Sequence, residues 1–493
     1  MVRPEPKNLN TLLDGLEHTF TSGGDVRIIA VTADSRDVHP GSLFVAIEGY
    51  ETDGHAYIAD ALENGAVAVV YENATFSDHI PDDISGVTVP DSRRAAALIA
   101  DRFWDHPSGE LQIAAVTGTN GKTTCVHLLD SIFRAAGHKT GTIGTLGWTI
   151  GDESYPGDRT TPDAVELQKI FAEMTERGAT HAAMEVTSHA LDLDRTYGTT
   201  FAAAVFTNLS QDHLDWHQTM VDYFASKMVL FTDYTRFAPD MVGAVNIDDA
   251  WGVQVAEDAE CSVTTYGMKK KADVSATGVC LSPDSTTFTL HTPAGSTETH
   301  LQLVGLFNVY NALSAAACCH AMGFSLQELA GGLSSAPPVP GRLEQVRAGQ
   351  DFTVLVDYAH TPEALKNVLE VCRTLNPTRL ICVFGCGGDR DTSKRPKMGN
   401  IATKLSDITI ITSDNPRSED PADIIAHIEM GARASEYEVE VDRRAAIEKA
   451  CQIAKSGDIV LIAGKGHETY QEFADGRIDF DDREVARKAL QQL

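Results

Sequence analysis

"AAVTGTNGKTT", residues 114–124, sets an apolar run against a glycine turn and a threonine-rich helix start. Ile113 to Val116 are apolar and read as a buried strand, and the following "TTCVHLLDSIFRAAG" carries apolar residues at helical spacing. A strand, a glycine turn and a helix N-terminus together aim backbone N–H groups and the positive end of the helix dipole at phosphate oxygens. Lys122 adds a mobile cation, and Thr123 offers a hydroxyl to a magnesium ion. The spacing departs from the standard phosphate loop, whose first glycine would fall on Val116. An ordinary glycine turn is the alternative. It leaves unexplained why a lysine and two threonines stand where phosphate binding needs them.

Around this loop the chain runs to 493 residues, enough for roughly three domains with cores of their own. Apolar content of 43% and charged content of 22% are ordinary for a soluble globular protein. No apolar run reaches the roughly 18 residues of a membrane span, and "MVRPEPKNLNTLLDG" lacks a signal-peptide core, so a cytoplasmic protein without membrane insertion is expected. The nine cysteines are scattered without a Cys-x-x-Cys pair, which suits a reducing compartment; Cys382 and Cys386 read as core thiols. A net charge of −30 argues against a nucleic-acid partner. It makes local cations such as Lys122 and the stretch "GGDRDTSKRPKMG" (387–399) more informative. A saline habitat and a plain solvated surface both account for the acid surplus.

The chain divides into three αβ blocks. Residues 1–108 alternate short apolar strands with an alanine-rich helix and end in a polar linker, "DHPSGE". Residues 109–336 contain the phosphate loop and the strand-like runs "HAAMEV" and "FAAAVFTNL", and the prolines of "SSAPPVPG" mark their end. Residues 337–493 repeat one pattern in "FTVLVDYAH", "RLICVFGCGG", "ITIITSDNP" and "DIVLIAGKGHE": an apolar run closing on glycine or polar residues, with a helical segment after it. The expected class is α/β with mainly parallel sheets, whose functional residues stand at the carboxyl ends of strands.

Those ends carry Glu185, then His213 in "TNLSQDHLDWH", and Lys227 lies beyond them in "YFASK". Glu185 and His213 suit a nucleotide-bound magnesium, although a surface ion pair and a helix cap explain them as well. Lys227 has apolar neighbours in Phe224, Met228, Leu230 and Phe231; by periodicity alone it reads as a lysine that snorkels to the surface. In the third block Asp357 suits a ribose hydroxyl or starts a turn, and Arg390 and Arg417 present planar forks for a carboxylate or phosphate. Turn chemistry accounts for the first three residues of "DNPR" but not for its arginine.

Taken in order, "GTNGKTT", "MEVTSHALDLDR", "TNLSQDHLDWH", "YFASK", "FNVYNALSA", "PGRLE", "DYAHTP", "GCGGDRD", "DNPR" and "GKGHE" resemble the Mur ligases, which build the peptide stem of peptidoglycan. The resemblance covers nearly the whole chain. It implies an N-terminal α/β UDP-binding domain, a central P-loop-type ATPase domain with a mainly parallel sheet, and a C-terminal Rossmann-like domain for the amino acid.

By the same resemblance Thr117, Gly118, Thr119, Asn120, Gly121, Lys122 and Thr123 surround ATP, together with Asn308, Asn311, Arg342 and Asp357. Ser35, Tyr50, Glu51, Thr52, Thr160, Thr161, Ser188 and Arg195 take the UDP-N-acetylmuramoyl-peptide; Arg159 and Leu193 replace a usual asparagine and a frequent glutamine. Lys227 matches the lysine that family members carbamylate, which turns a cation into a carboxylate-like anion. With Lys122 it joins Glu185 and His213 as catalytic, while Thr123, Glu185, His213 and the carbamate serve Mg2+.

The implied activity is ATP-dependent amide formation on UDP-MurNAc-L-Ala-D-Glu through an acyl phosphate. "DNPR" points to meso-diaminopimelate rather than lysine as the incoming amino acid. Arg390, Asp414, Asn415, Pro416, Arg417, Gly464 and Glu468 would hold it. A monomer is expected. The lysine-adding member of the family, folylpolyglutamate synthetase and a non-catalytic scaffold are the rivals; a scaffold would be expected to have lost Lys122, Glu185, His213 or Lys227.

Overall fold

The computed structural model describes residues 4–49, 52–282, 285–433 and 436–493, so the expected contacts of Tyr50 and Glu51 lie outside the described residues. Compact packing divides the chain into residues 1–276, 290–297 and 310–333 on the one hand, and 277–289, 298–309 and 334–493 on the other. The first two sequence blocks share the first unit, each with its own sheet.

The N-terminal sheet runs in the order Thr19–Ser22, Ser85–Thr88, Ala66–Tyr71, Ser42–Val45, Ala30–Thr32, parallel except at the Thr19–Ser22 edge. Successive side chains point to opposite faces. Leu43, Val45, Ala68 and Val70 therefore enter one core with Ile99 and Phe103, while Phe44, Val69 and Tyr71 enter another with Ile58. Helix Ser92–Phe103 belongs to this sheet, and Asp91 caps it by accepting from the Arg94 backbone N–H. "DHPSGE" is less of a free linker than its polarity suggests. It turns through left-handed Asp105 and His106, and the buried Ser108 Oγ accepts from Thr200 N at 3.1 Å.

The central sheet has eight strands, in the order Glu153–Tyr155, Gly147–Ile150, Thr140–Gly144, His181–Glu185, Gln112–Thr117, Ala203–Phe206, Val242–Asn246, Ser262–Tyr266. From Thr140–Gly144 onward all neighbours are parallel, and the hairpin at 147–155 adds an antiparallel edge. The chain leaves Gln112–Thr117 toward one side of the sheet and later returns on the other. The phosphate loop therefore stands at a topological switch point, where open α/β sheets bind ligands. A small sheet of Ser275–Leu281, Thr286–Thr292 and Gly295–Leu301 follows.

The C-terminal sheet runs Glu344–Gln345, Thr353–Asp357, Ile459–Ala463, Leu380–Phe384, Ile408–Ile411, Tyr437–Val439, with only the first pair antiparallel. Both faces are covered: Cys382, Phe384 and Leu461 enter one core, and Ile381, Val383 and Val460 the other. Cys382 and Cys386 are buried free thiols, as expected of core residues. The register pairs Asp357 and Phe384 with Ala463, and Phe384 with Ile411, so "DYAHTP", "GCGGDRD", "DNPR" and "GKGHE" all leave one edge of the sheet.

That edge is braced by a buried ion pair. Arg443 Nη2 lies 2.7 Å from Asp482 Oδ2, both side chains are 0% exposed, and the guanidinium also donates to the carbonyls of Ser413 and Ala463. Arg443→Ala would strand a buried carboxylate and two carbonyls. It is expected to cost about 3 kcal/mol, read as a lower denaturant midpoint without a change of slope.

Candidate active site

The phosphate loop is built from backbone that only glycine adopts readily. Gly118 has φ 141° and Gly121 φ 90°. A Cβ on Gly118 would fall 2.0 Å from Thr207 Oγ1, and one on Gly121 would fall 2.3 Å from Asn311 Oδ1. The end of the adjacent strand braces the loop: Thr119 N donates to Asn208 O at 2.9 Å, and Asn120 N to Asn208 Oδ1 at 3.0 Å. Helix Lys122–Ala135 starts directly beyond, and Lys122 Nζ folds back onto the carbonyls of Gly118 and Thr119 at 3.0 and 2.9 Å. Gly118→Ala must shift this loop against Thr207. It is expected to lower kcat/KM for ATP by up to about 10²-fold, measured by phosphate release at varied ATP.

Glu185, at the end of the neighbouring strand, is 1% exposed and makes no ion pair among the described residues. Its Oε1 accepts from Thr123 Oγ1 at 2.9 Å and from Thr145 N at 2.8 Å. Lys227 is also 1% exposed, which overturns the snorkelling reading: helix Met220–Met228 turns it inward, not outward. Its Nζ donates to Gly118 O at 3.2 Å and lies 4.6 Å from the centroid of the Tyr223 ring. Burial, with the charge of Lys122 adding to it, holds this amine well below the usual lysine range. His213 takes the N-cap position of helix Leu214–His217 with φ 52°, but its side chain makes no cap hydrogen bond among the described residues. Its ring faces His189 at 4.8 Å between centroids; burial lowers its pKa, as does Lys122, against Asp212. Lys122, Lys227 and His213 thus share one electrostatic neighbourhood.

The residues expected around the UDP-N-acetylmuramoyl-peptide fall into two places. Near the loop, Thr161 Oγ1 donates to Glu185 O at 2.9 Å, Arg195 Nη1 to Thr161 O at 3.2 Å, and the Thr160 and Thr145 hydroxyls meet at 3.3 Å. Ser188 is buried beside them. Ser35 and Thr52 stand apart, in the N-terminal sheet's loops: Ser35 opens a 3-10 turn, its carbonyl accepting from Asn64 Nδ2, and Thr52 O accepts from Gly49 N. The sequence reading did not single out His217. Its Nε2 lies 2.9 Å from Ser188 Oγ and its Nδ1 3.4 Å from Asp192, so the second histidine of "HLDWH" fixes that hydroxyl.

Asn311 lies against the phosphate loop, whereas Asn308, Arg342 and Asp357 belong to the other unit. Asn308 Nδ2 donates to Val304 O at 2.9 Å. Both Asp357 oxygens accept backbone N–H groups, from Leu343 and Ala359, so the turn role is real; burial raises its pKa, with Arg342 opposing. Arg342 packs over the Tyr358 ring, 5.0 Å from its centroid.

In "DNPR", Asp414 and Asn415 are buried. Arg417, at φ 52°, donates from Nη1 to Gly388 O at 2.7 Å and from Nε to Glu472 at 3.1 Å. Gly464, at φ 120°, leaves room for Asp414, whose Oδ2 is 2.4 Å from where a Cβ would stand. Asn415 Nδ2 donates to Glu468 Oε2 at 2.8 Å. Arg390 is exposed and donates to Asp389 O at 3.3 Å. Lys465 and Glu472, which sequence patterns did not single out, complete the cluster. Their partners Asn415 and Arg417 are distant in sequence and are brought near by the parallel sheet.

Residues 27–104, 116–319 and 341–466 match in turn the Mur ligase family catalytic domain, the Mur ligase middle domain and the Mur ligase glutamate ligase domain. Over 491 residues the chain is 46% identical to the UDP-N-acetylmuramoyl-L-alanyl-D-glutamate–2,6-diaminopimelate ligase of Geobacillus thermodenitrificans (strain NG80-2), across 98% of this chain and 99% of that one. The chain belongs to the Mur ligase family. A protein of the same name from Clostridium botulinum (strain ATCC 19397 / Type A) is 42% identical over 99% of this chain and all of its own. A solved structure of such a ligase superposes with a TM-score of 0.70 at 34% identity, covering 94% of this chain and 95% of that one. A folylpolyglutamate synthase from Mycobacterium tuberculosis shares the fold, with a TM-score of 0.63 at 18% identity over 74% of this chain and 91% of its own.

This Mur ligase is an α/β protein of three family domains with mainly parallel sheets. The two residues expected to depart from the family pattern have these local contacts. Arg159 turns to Asp163 at 3.4 Å, and Leu193 closes the C-terminus of helix Ser188–Asp192 through its backbone.

Proposed function

We propose that this Mur ligase joins an amine of meso-2,6-diaminopimelate to the free carboxylate of D-glutamate in UDP-N-acetylmuramoyl-L-alanyl-D-glutamate, driven by ATP, in peptidoglycan precursor synthesis. One observation carries the reading. The phosphate loop connects through Thr123, Glu185 and Thr145 to Thr160, Thr161 and Arg195, which supports adjoining sites for a phosphate and a peptide carboxylate. The substrate carboxylate attacks the γ-phosphorus, ADP leaves, and an acyl phosphate forms; the amine then attacks the acyl carbon and phosphate departs. Lys122 offsets charge on the transferring phosphoryl group. Arg195 and the threonine hydroxyls hold the peptide, with Ser188 fixed by His217.

The donor set fits Mg2+. Thr123 Oγ1 and the Glu185 carboxylate are hard oxygens 2.9 Å apart. Among the described residues no three His, Cys, Asp or Glu side chains form a cage, so water and substrate phosphates would have to complete the ion's shell. Thr123, Glu185, His213 and a carbamylated Lys227 would hold it or orient its ligands; when bound it neutralises charge on the phosphate oxygens. At the C-terminal cluster, Arg417 and Arg390 would take a carboxylate of diaminopimelate, and Glu468 with the Gly464 carbonyl its ammonium.

No helix among the described residues is long and apolar enough to cross a membrane. Nine free cysteines suit a reducing compartment, and the reading is of a monomeric enzyme of the cytoplasm. The test is phosphate release with ATP, magnesium and UDP-MurNAc-L-Ala-D-Glu, adding meso-diaminopimelate or L-lysine. Release with diaminopimelate and little with lysine is expected. Release with lysine alone would discard the role of Arg417, and release with neither would discard the ligase.

A further inference from the structure

One buried cation of the C-terminal cluster has no place in the reaction described above. Lys465 lies between two glycines in "GKGHE", where a lysine ordinarily reaches solvent, yet it is 0% exposed. Its Nζ donates to Asn415 Oδ1 at 2.8 Å and to Glu468 Oε2 at 3.0 Å, and stands 5.4 Å from the centroid of the Tyr470 ring. A buried ammonium is costly unless paired, so this geometry is maintained by the groups around it.

Asn415 is the hub. Its Oδ1 accepts from Lys465 and from Glu472 N at 3.1 Å, while its Nδ2 donates to the same Glu468 oxygen that Lys465 holds. Two donors therefore fix Glu468 Oε2, and among the described residues Oε1 takes neither of them. Glu472 continues the chain to Arg417, through the salt bridge at 3.1 Å and the Arg417 N–H donated to Glu472 O at 3.0 Å. The cluster thus holds two ion pairs, Lys465–Glu468 and Arg417–Glu472, joined through Asn415. A zwitterionic amino-acid end, with one ammonium and one carboxylate, complements such a pair of ion pairs without leaving net charge behind.

We infer that Lys465 is a positioning residue for the incoming amino acid: it locks Asn415 and one oxygen of Glu468 so that the other oxygen faces the ammonium of the ligand. This rests on the proposed function, in which Glu468 takes that ammonium. Lys465 acts on amino-acid binding, not on phosphoryl transfer. Its loss therefore separates the two.

The experiment is steady-state kinetics of Lys465→Met and Lys465→Gln beside wild type, Glu468→Gln and the double variant Lys465→Met/Glu468→Gln. In Lys465→Met, KM for meso-diaminopimelate is expected to rise about 30-fold or more, with KM for ATP and for the UDP-substrate within about twofold of wild type. Lys465→Gln keeps a hydrogen-bonding end and is expected to fall between. Because Lys465 acts through Glu468, the double variant is expected to match Glu468→Gln alone, whereas independent effects would multiply. An unchanged diaminopimelate KM in both Lys465 variants, or multiplying effects in the double variant, would overturn the inference while leaving the ligase reading intact. If Lys465→Met does not fold, the Lys465→Gln comparison decides alone. Wild-type enzyme without diaminopimelate-dependent phosphate release would overturn the proposed function, and this inference with it.

Discussion

Lys227→Ala is expected to lower kcat by about 10³-fold, and added acetate or propionate to restore part of the loss. The lysine sits where a permanent cation has little purpose. It is 1% exposed, its nearest hydrogen-bond acceptor is the Gly118 carbonyl, and among the described residues no carboxylate lies within ion-pair distance. Lys122 is close enough that its charge, after burial itself, depresses the Lys227 amine. A neutral amine is the form that attacks carbon dioxide: its lone pair forms the N–C bond, a proton leaves, and the product is an anion. The same surroundings that disfavour an ammonium beside Lys122 favour that anion, because repulsion becomes attraction. A small carboxylic acid entering the space left by Lys227→Ala would replace the charge without the tether. Activity above a tenth of wild type in Lys227→Ala would remove the catalytic role. A dead variant that no short acid revives would leave Lys227 essential but dismiss the carbamate. Wild-type enzyme stripped of bicarbonate is expected to lose activity and regain it on re-addition.

Lys227 also shows where sequence stops being informative. Strand ends were legible because a fully buried parallel strand needs an unbroken apolar run, and "HAAMEV", "RLICVFGCGG" and "DIVLIAGKGHE" each close on the polar residues that the sheet delivers to one edge. The phosphate loop was legible because a strand, two glycines and a lysine follow one another within a few residues. The inward turn of Lys227 was not, since periodicity alone does not say whether a lysine amid apolar neighbours is covered by other elements. Lys465 was hidden for a related reason. Its partner Asn415 comes from another segment, and parallel pairing of Leu380–Phe384 with both Ile459–Ala463 and Ile408–Ile411 brings the two loops together. Boundaries suffered likewise. "DHPSGE" looks like a spacer because it is polar, yet Ser108 is buried by its bond to Thr200, some 90 residues on, which no local pattern announces.

Replacing Arg417 is expected to change which amino acid is used. Arg417 has φ 52°, so Arg417→Asn is the cleaner variant: asparagine tolerates the left-handed region and the change removes the guanidinium without straining the loop. For this variant KM for meso-diaminopimelate is expected to rise by about 10²-fold or more, while lysine, which has no second carboxylate to lose, gains relative to it. The size of the selectivity lost depends on Glu472. A site with a wholly unpaired buried charge would reject lysine by about 10⁴-fold or more. Here Glu472 holds Nε of Arg417 at 3.1 Å and the Gly388 carbonyl holds Nη1 at 2.7 Å, so an arginine left without a ligand carboxylate is still partly compensated. Selectivity nearer 10³-fold, on the order of 4 kcal/mol, follows. Glu472→Gln removes that compensation and is expected to sharpen rejection of lysine. Parallel kcat/KM measurements with the two amino acids decide the matter. If Arg417→Asn leaves their ratio unchanged, the carboxylate is read elsewhere, and the exposed, nearly uncommitted Arg390 becomes the residue that reads it.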